Sequence, residues 1–406
     1  MPDDTRELPL AFHGSFTQQE PLPEAAIEAV ANVMRSGRLH RYNLAQGEEG
    51  PVSELERAYA SWQGTEYCLA VTSGGQAMQI ALRACGVKPG DKILTNAFTL
   101  APVPGAIEAV GGQSILVEIN NELRLDVDDL AEKARQSGAR YLLLSHMRGH
   151  LCDMDSVMRV VESAGLTLIE DCAHTMGAKW SGKRSGNFGH AACFSTQTYK
   201  HMNSGEGGFL TTDDPELAAR ATILSGSYML YARHGAGPDE KEFADARLNM
   251  PNCSARMDAV RAAMLLPQLD ELDANIDRWN ARYDAVSQVL AEESQIAMPS
   301  RPHQESMVGS SIQFRLPWAN KVDCETFLAR AADRGVEVKW FGRTEPHGFT
   351  SSHHSWEYIP AQPLPKTDAI MSTLFDMRLP LTFSVEDCVV IGRILAEISR
   401  DMAPAP

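Results

Sequence analysis

The stretch FSTQTYKHMNSGEGG, residues 194–208, holds one lysine, Lys200, among hydroxyl and amide side chains, and closes with glycines at 205, 207 and 208. Most lysines are solvated on surface loops. A lysine set among small polar residues is also what an amine that does chemistry in a pocket requires. The flanking sequence decides between the two.

Upstream, short apolar runs alternate with amphipathic stretches. KILTN (92–96), QSILVEI (113–119), RYLLLSH (140–146) and TLIED (167–171) read as strands. APVPGAIEAVG (101–111), DVDDLAEKARQSG (126–138) and MDSVMRVVESAG (154–165) read as helices. With YCLAVTSGGQAMQIALRACGV (67–87), the alternation predicts an α/β fold whose mostly parallel sheet is covered by helices on both faces. Reactive groups in such sheets gather at the carboxyl ends of strands. That points to Ser73 and Gly74, to 96–99, to 146–149 and to Asp171. From 258 to 295 the pattern becomes one long helix, which Pro267 should kink. GSSIQFRLPW (309–318), CETFLARAADRG (324–335), VEVKW (336–340) and VEDCVVIGRILAEIS (385–399) predict a smaller α+β lobe. The expected organisation is an N-terminal arm (1–23), a large domain (24–257), and a long linking helix with a smaller C-terminal domain (258–406).

Bulk properties narrow the partners. The 406 residues carry 37 basic and 53 acidic side chains, a net charge of −16. Such a balance argues against a nucleic-acid binder, which needs a basic face. The acidic start lacks a basic n-region and an apolar run, and no stretch has the roughly 20 apolar residues of a membrane span. The eight cysteines form no CxxC pair. They read as reduced residues of a cytoplasmic protein, without a metal site.

Three features converge on Lys200. LTLIED is an apolar strand ending in two acids, and a carboxylate there is costly to bury unless it faces a cation such as a protonated pyridine nitrogen. TSGGQAMQIAL (72–82) places small residues between a strand and a helix, where free backbone N–H groups and the helix dipole favour a phosphate. A lysine amine becomes nucleophilic when desolvation lowers its pKa. A phosphate cup, a strand-end carboxylate and such a lysine together describe a site for pyridoxal 5'-phosphate.

Four blocks then resemble one family in order and spacing: TSGGQAMQIAL, LIEDCAHTMGAKWSGKRSGNFGHAACFSTQTYKHMNSGEGGFLTTDD (168–214), ARMDAVRAAMLLPQLDEL (255–272) and RLPLTFSVEDC (378–388). They resemble the DegT/DnrJ/EryC1/StrS sugar aminotransferases, of pyridoxal phosphate fold type I, over about residues 24–398. The resemblance implies an aspartate-aminotransferase-like fold: a mostly parallel seven-stranded sheet with helices on both faces, plus a smaller C-terminal α+β domain. It implies that Lys200 links to the cofactor aldehyde and carries the proton, and that Asp171 pairs with the pyridine nitrogen. It implies that His174 lies near the ring and that Phe98, in NAFTLAP, stacks on it. Gly74, Gly75 and Gln76 would bind the phosphate, with the Ser195 hydroxyl adding to them. Two departures stand out. Gly75 replaces the family's threonine, and the family's N-x-R-M reads NCSARM here. Asn252 is therefore expected, ahead of Ser254, to reach the neighbouring subunit's phosphate in a homodimer with shared active sites.

The expected reaction moves an amino group from glutamate or glutamine to a keto-sugar, nucleotide-linked, or to a related cyclitol. Same-fold dehydratase or lyase chemistry, or a regulator that binds the cofactor or a sugar, are the alternatives. In WFGRTEPHGFTSSHHSWEYIP (340–360), Arg343, His347, His353 and His354 either meet the acceptor or belong to a solvated loop.

Overall fold

The computed structural model describes residues 10–45 and 47–404. Strands β1 (Tyr67–Val71), β2 (Lys92–Asn96), β3 (Gln113–Val117), β4 (Tyr141–Ser145) and β5 (Thr167–Asp171) each follow a helix or lead into one. A short hairpin, β6 (Lys179–Trp180) and β7 (Lys183–Arg184), precedes β8 (Ala191–Ser195) and β9 (Gly208–Thr212). The main sheet has seven strands in the order β1-β9-β8-β5-β4-β2-β3. Strands β3, β2, β4, β5 and β8 pair in parallel, and β9 lies antiparallel between β8 and β1. The expected mostly parallel sheet of seven strands is thus found, with one reversed strand.

Both faces are covered because both carry apolar side chains. On one face Ile93, Leu143, Ile169 and Cys193 pack under α3 (Gly74–Ala84), α4 (Pro102–Ala109) and α7 (Pro215–Ser225). On the other, Leu94, Leu142, Leu144 and Leu168 meet α5 (Val127–Ser137) and α6 (Met154–Ala164). Each fully buried Leu or Ile contributes about 1.5–3 kcal/mol. Helix entries are fixed by side chains: Asp126, Asp153 and Asp214 accept N–H bonds from the first turns of α5, α6 and α7.

Helix α9 runs unbroken from Ala259 to Ala291, through Pro267, and is capped by Asp258. It leads through β10 (Glu305–Ser306) to the smaller antiparallel sheet, in which β13 (Leu374–Arg378) lies between β11 (Ser311–Arg315) and β12 (Lys339–Trp340). Residues 1–9 of the expected N-terminal arm fall outside the described residues. In the rest of it Phe12 and Phe16 are buried, in a cluster with residues of the C-terminal part, with the Phe12 ring 4.8 Å from that of Phe383.

Candidate active site

The two acids ending β5 part ways, as neighbouring strand residues must. Glu170 is wholly buried and accepts N–H bonds from Gly186 (2.9 Å), Phe188 (2.8 Å) and Gly189 (2.8 Å). Burial works to raise its pKa, but His146 and these backbone donors outweigh it and hold the carboxyl below its ordinary range. Asp171 faces a cavity of about 280 Å³ instead. Its Oδ2 accepts from the Ser145 hydroxyl (2.8 Å) and its Oδ1 from the Ala173 N–H (3.2 Å). Ser145 in turn accepts from the Thr99 hydroxyl (2.8 Å), and the Asn96 amide clamps the Ser145 backbone. The carboxylate is therefore aimed by the ends of β2, β4 and β5 together.

Lys200 hangs on the loop between β8 and β9. Backbone bonds from Thr196 N–H to the Gly207 carbonyl (3.0 Å) and from Thr198 N–H to the Gly205 carbonyl (3.1 Å) close that loop. The Lys200 amine lies 2.7 Å from His174 Nε2 and faces the same cavity as Asp171. Burial, then the Arg148 charge, push its pKa down to about 7, while Asp171 pulls the other way. Burial and the Lys200 charge push His174 well below its usual value. A neutral His174 offers Nε2 as an acceptor to the amine.

Beside them, β1 turns into α3. The Ser73 hydroxyl caps that helix, accepting the Gln76 N–H at 3.1 Å. Ser73, Gly74, Gly75 and Ser195 line the cavity, and Gln76 does not. The packing here is tight: a Cβ on Gly74 would meet Ser195 Cβ at 2.9 Å, and one on Gly208 would meet the Gly74 nitrogen at 2.6 Å. At Gly75 nothing is nearer than Ser73 Oγ at 3.8 Å.

A profile of the DegT/DnrJ/EryC1/StrS aminotransferase family matches residues 22–394. The chain belongs to that family. It is 29% identical over 294 residues to the L-glutamine:scyllo-inosose aminotransferase of Streptomyces griseus, covering 72% of this chain and 69% of that one. It is 32% identical over 262 residues to the dTDP-3-amino-3,4,6-trideoxy-alpha-D-glucose transaminase of Streptomyces venezuelae, covering 64% and 62%. The fold matches that of a Streptococcus pneumoniae protein solved in its PMP form with a TM-score of 0.82, at 20% identity, over 96% of this chain and 100% of that one.

The site suits the cofactor of the DegT/DnrJ/EryC1/StrS aminotransferases, pyridoxal phosphate. The open position over Gly75 and the hydroxyls of Ser73 and Ser195 form a cradle for a phosphate. Asp171, fixed by Ser145, would face the ring nitrogen, and Lys200, its pKa lowered to about 7, would meet the aldehyde. When bound, the group supplies an electron sink for charge developing at a substrate carbon.

Not every expected residue of this family member comes to the cavity. Phe98 is 0% exposed, and its ring packs edge-on against Phe341 at 5.1 Å in a cluster with Ile119, Met147 and Leu374. Leu100, two residues on, lines the cavity in its place. Just after a strand ends, the alternation that orders side chains no longer holds. The Gln76 N–H is engaged by the helix cap. Asn252 is exposed, and its Oδ1 accepts from the N–H (2.9 Å) and hydroxyl of Ser254. Neither residue lines this chain's own cavity.

The histidine-rich loop divides. Arg343 and His347 line a neighbouring cavity of about 560 Å³, which shares Tyr199, Phe349 and Arg378 with the first. His353 and His354 both direct Nε2 to Asp368 Oδ1, at 2.7 and 2.8 Å, away from Lys200. Arg148, within the expected strand-end segment 146–149, does line the cavity, whereas Ser145, Leu100, Tyr199, Phe349 and Arg378 are among the lining residues that the sequence reading did not single out. Of these, Ser145, at the end of an apolar strand, carried a local signal, and Phe349 lies in the segment 340–360 quoted above.

Proposed function

We propose that the chain is a pyridoxal phosphate-dependent aminotransferase that carries an amino group from glutamine or glutamate to a keto-cyclitol or a nucleotide-linked keto-sugar. The Lys200 amine, desolvated and 2.7 Å from a neutral His174 across from the fixed carboxylate of Asp171, carries this reading. Lys200 would hold the cofactor at its aldehyde and move a proton at its Nζ. Asp171 keeps the ring nitrogen protonated. His174 orients the amine, and Ser73, Gly74, Gly75 and Ser195 hold the phosphate. One relative named above is an L-glutamine:scyllo-inosose aminotransferase and the other a dTDP-sugar transaminase, which supports these two acceptor classes.

The enzyme is proposed to act in the cytoplasm as a homodimer, with Asn252 or Ser254 completing the partner's phosphate site. Their exposure at the surface supports this. No helix among the described residues is long and apolar enough to cross a membrane. Mixing Lys200→Ala with Asn252→Ala subunits tests the shared site: hybrids should regain part of the activity that each homodimer lacks.

The decisive experiment follows the visible band of the cofactor-loaded protein. L-glutamine or L-glutamate should discharge it, and label from amino-[15N]glutamine should appear on the ketone. Lys200→Ala should show neither event. Turnover by that variant, or loss of water from the sugar without label transfer, would overturn the assignment.

A further inference from the structure

The loop between β12 and the short helix Pro365–Met371 carries a histidine pair that the proposed reaction does not use. Side chains of adjacent residues ordinarily point apart. Here a tight turn, His353–Ser355, closed by the Ser355 N–H on the Ser352 carbonyl (3.0 Å), brings the two imidazole rings to 3.9 Å between centres. Trp356, which follows, is buried with Ala97, Leu116, Ile359 and Leu364, and anchors the turn against β3.

Both rings meet one carboxylate. His353 Nε2 and His354 Nε2 lie 2.7 and 2.8 Å from Asp368 Oδ1, and the ligand atoms of the three residues fall within 4.8 Å of one another. Asp368 is held by its helix: the Thr367 N–H and hydroxyl donate to Glu118 Oε2, and Thr367 Oγ1 accepts the Ile119 N–H at 3.1 Å. Among the described residues no lysine or arginine forms an ion pair with Asp368. Burial outweighs the pull of Asp368 and keeps His353 below its ordinary pKa. With its imidazoles neutral, the cluster carries the negative charge of Asp368 alone.

The donor set selects the ion. Two imidazole nitrogens and one carboxylate oxygen suit zinc and its first-row neighbours, whereas calcium and magnesium take oxygen ligands. Zinc holds such atoms at about 2.0–2.2 Å in a tetrahedron, which spaces them roughly 3.4 Å apart. The gaps of 2.7 and 2.8 Å need to open by less than about 1 Å to admit it. An ion can enter from the His354 side, since the His354 side chain is 60% exposed and that of His353 only 3%. The other grouping of this kind among the described residues, His146, Glu170 and Cys172, is sealed, and Glu170 already accepts three backbone N–H bonds.

We propose that His353, His354 and Asp368 bind one divalent transition ion of the zinc class, with water in the fourth position. The ion replaces the two hydrogen bonds to Asp368, and each ring then keeps its proton on Nδ1. None of the three residues lines the cavity facing Lys200, so the ion takes no part in the proposed reaction and the proposal stands apart from it. Its role is to clamp the loop to the helix Pro365–Met371. The same loop carries Phe349, which does line that cavity.

The test uses the cofactor-loaded protein without a histidine tag, cleared of metal by a chelator and of unbound cofactor by gel filtration. Zinc chloride is titrated by calorimetry and cobalt chloride by visible absorbance. One ion per chain should bind, and cobalt should give the intense visible bands of a tetrahedral site. His354→Ala, at an exposed position, and Asp368→Asn, which keeps the shape, should each weaken zinc by roughly tenfold or more. His303→Ala, which removes an exposed imidazole elsewhere, should change it by less than about threefold. Zinc should raise the melting temperature of the parent and not of His354→Ala. It should also slow amide exchange across residues 350–356. Absence of zinc binding by the parent, or binding that both substitutions leave intact, overturns the site. Exchange at 350–356 that zinc does not change overturns the clamp.

Discussion

Lys200 Nζ and His174 Nε2 lie 2.7 Å apart, and burial drives both toward their neutral forms. A folded lysine with a pKa near 7 instead of 10.5 disfavours folding wherever the unfolded chain would hold its proton. That penalty, on the order of 5 kcal/mol, is complete below about pH 7 and fades as pH rises toward 10.5. Cofactor-free Lys200→Met should therefore be more stable than the parent at pH 6.5, with the gap narrowing by pH 9.5. Urea unfolding of both proteins at the two pH values measures this; a gap that widens with pH contradicts it.

Asp171 is aimed by Ser145, which donates to its Oδ2 at 2.8 Å. Asp171→Asn keeps the shape and removes the charge. It should lower kcat about a thousandfold, the scale of losing a preorganised charge. Ser145→Ala leaves the charge but frees the carboxylate to turn, and should cost about tenfold in cofactor affinity. Steady-state rates and cofactor titration separate the two effects.

Gly74 and Gly75 are neighbours with opposite tolerance. An added methyl at Gly74 meets Ser195 Cβ at 2.9 Å, so Gly74→Ala should destabilise by about 1–3 kcal/mol. At Gly75 there is room in the first turn of α3. Gly75→Ala should be neutral or stabilising by up to about 1 kcal/mol, and Gly75→Thr should tighten cofactor binding by adding a hydroxyl. Thermal melts with and without cofactor test the series.

Leu100 lines the cavity where Phe98 was expected to. Phe98→Ala empties a core position and should cost about 3–5 kcal/mol. Phe98→Leu should lower the melting temperature without changing cofactor affinity. Leu100→Phe, which brings a ring to the cavity, should raise that affinity. If Phe98→Leu weakens the cofactor while Leu100→Phe does nothing, the placement of these side chains is wrong.

The parallel strands were legible because strands buried on both faces are continuous apolar runs. KILTN became β2 and TLIED became β5 without a shift of register. Lys200 and Asp171 were legible because each sits at a loop or strand end with an unusual local setting. The direction of β9 was not, since nothing in GFLTT distinguishes an antiparallel from a parallel neighbour. Nor was the packing of Phe12 and Phe16 against Phe383, whose partners lie far along the chain. Arg148 falls in the strand-end segment 146–149 that the sequence points to, but Arg378, which lines the same cavity from far along the chain, has no distinctive local pattern.

The reversed strand has one further consequence. Because β9 hydrogen-bonds to both β8 and β1, with Gly208 opposite Ser195 and Val71, the lysine loop leaves and re-enters the sheet between adjacent strands. Its two ends cannot separate unless the β8–β9 ladder comes apart. Amide protons of Thr196 and Ser204, both bonded inside that loop, should then exchange with solvent only through whole-domain unfolding, as slowly as those of β8 itself. The nucleophile is carried on a connection between strands that has the persistence of a core strand.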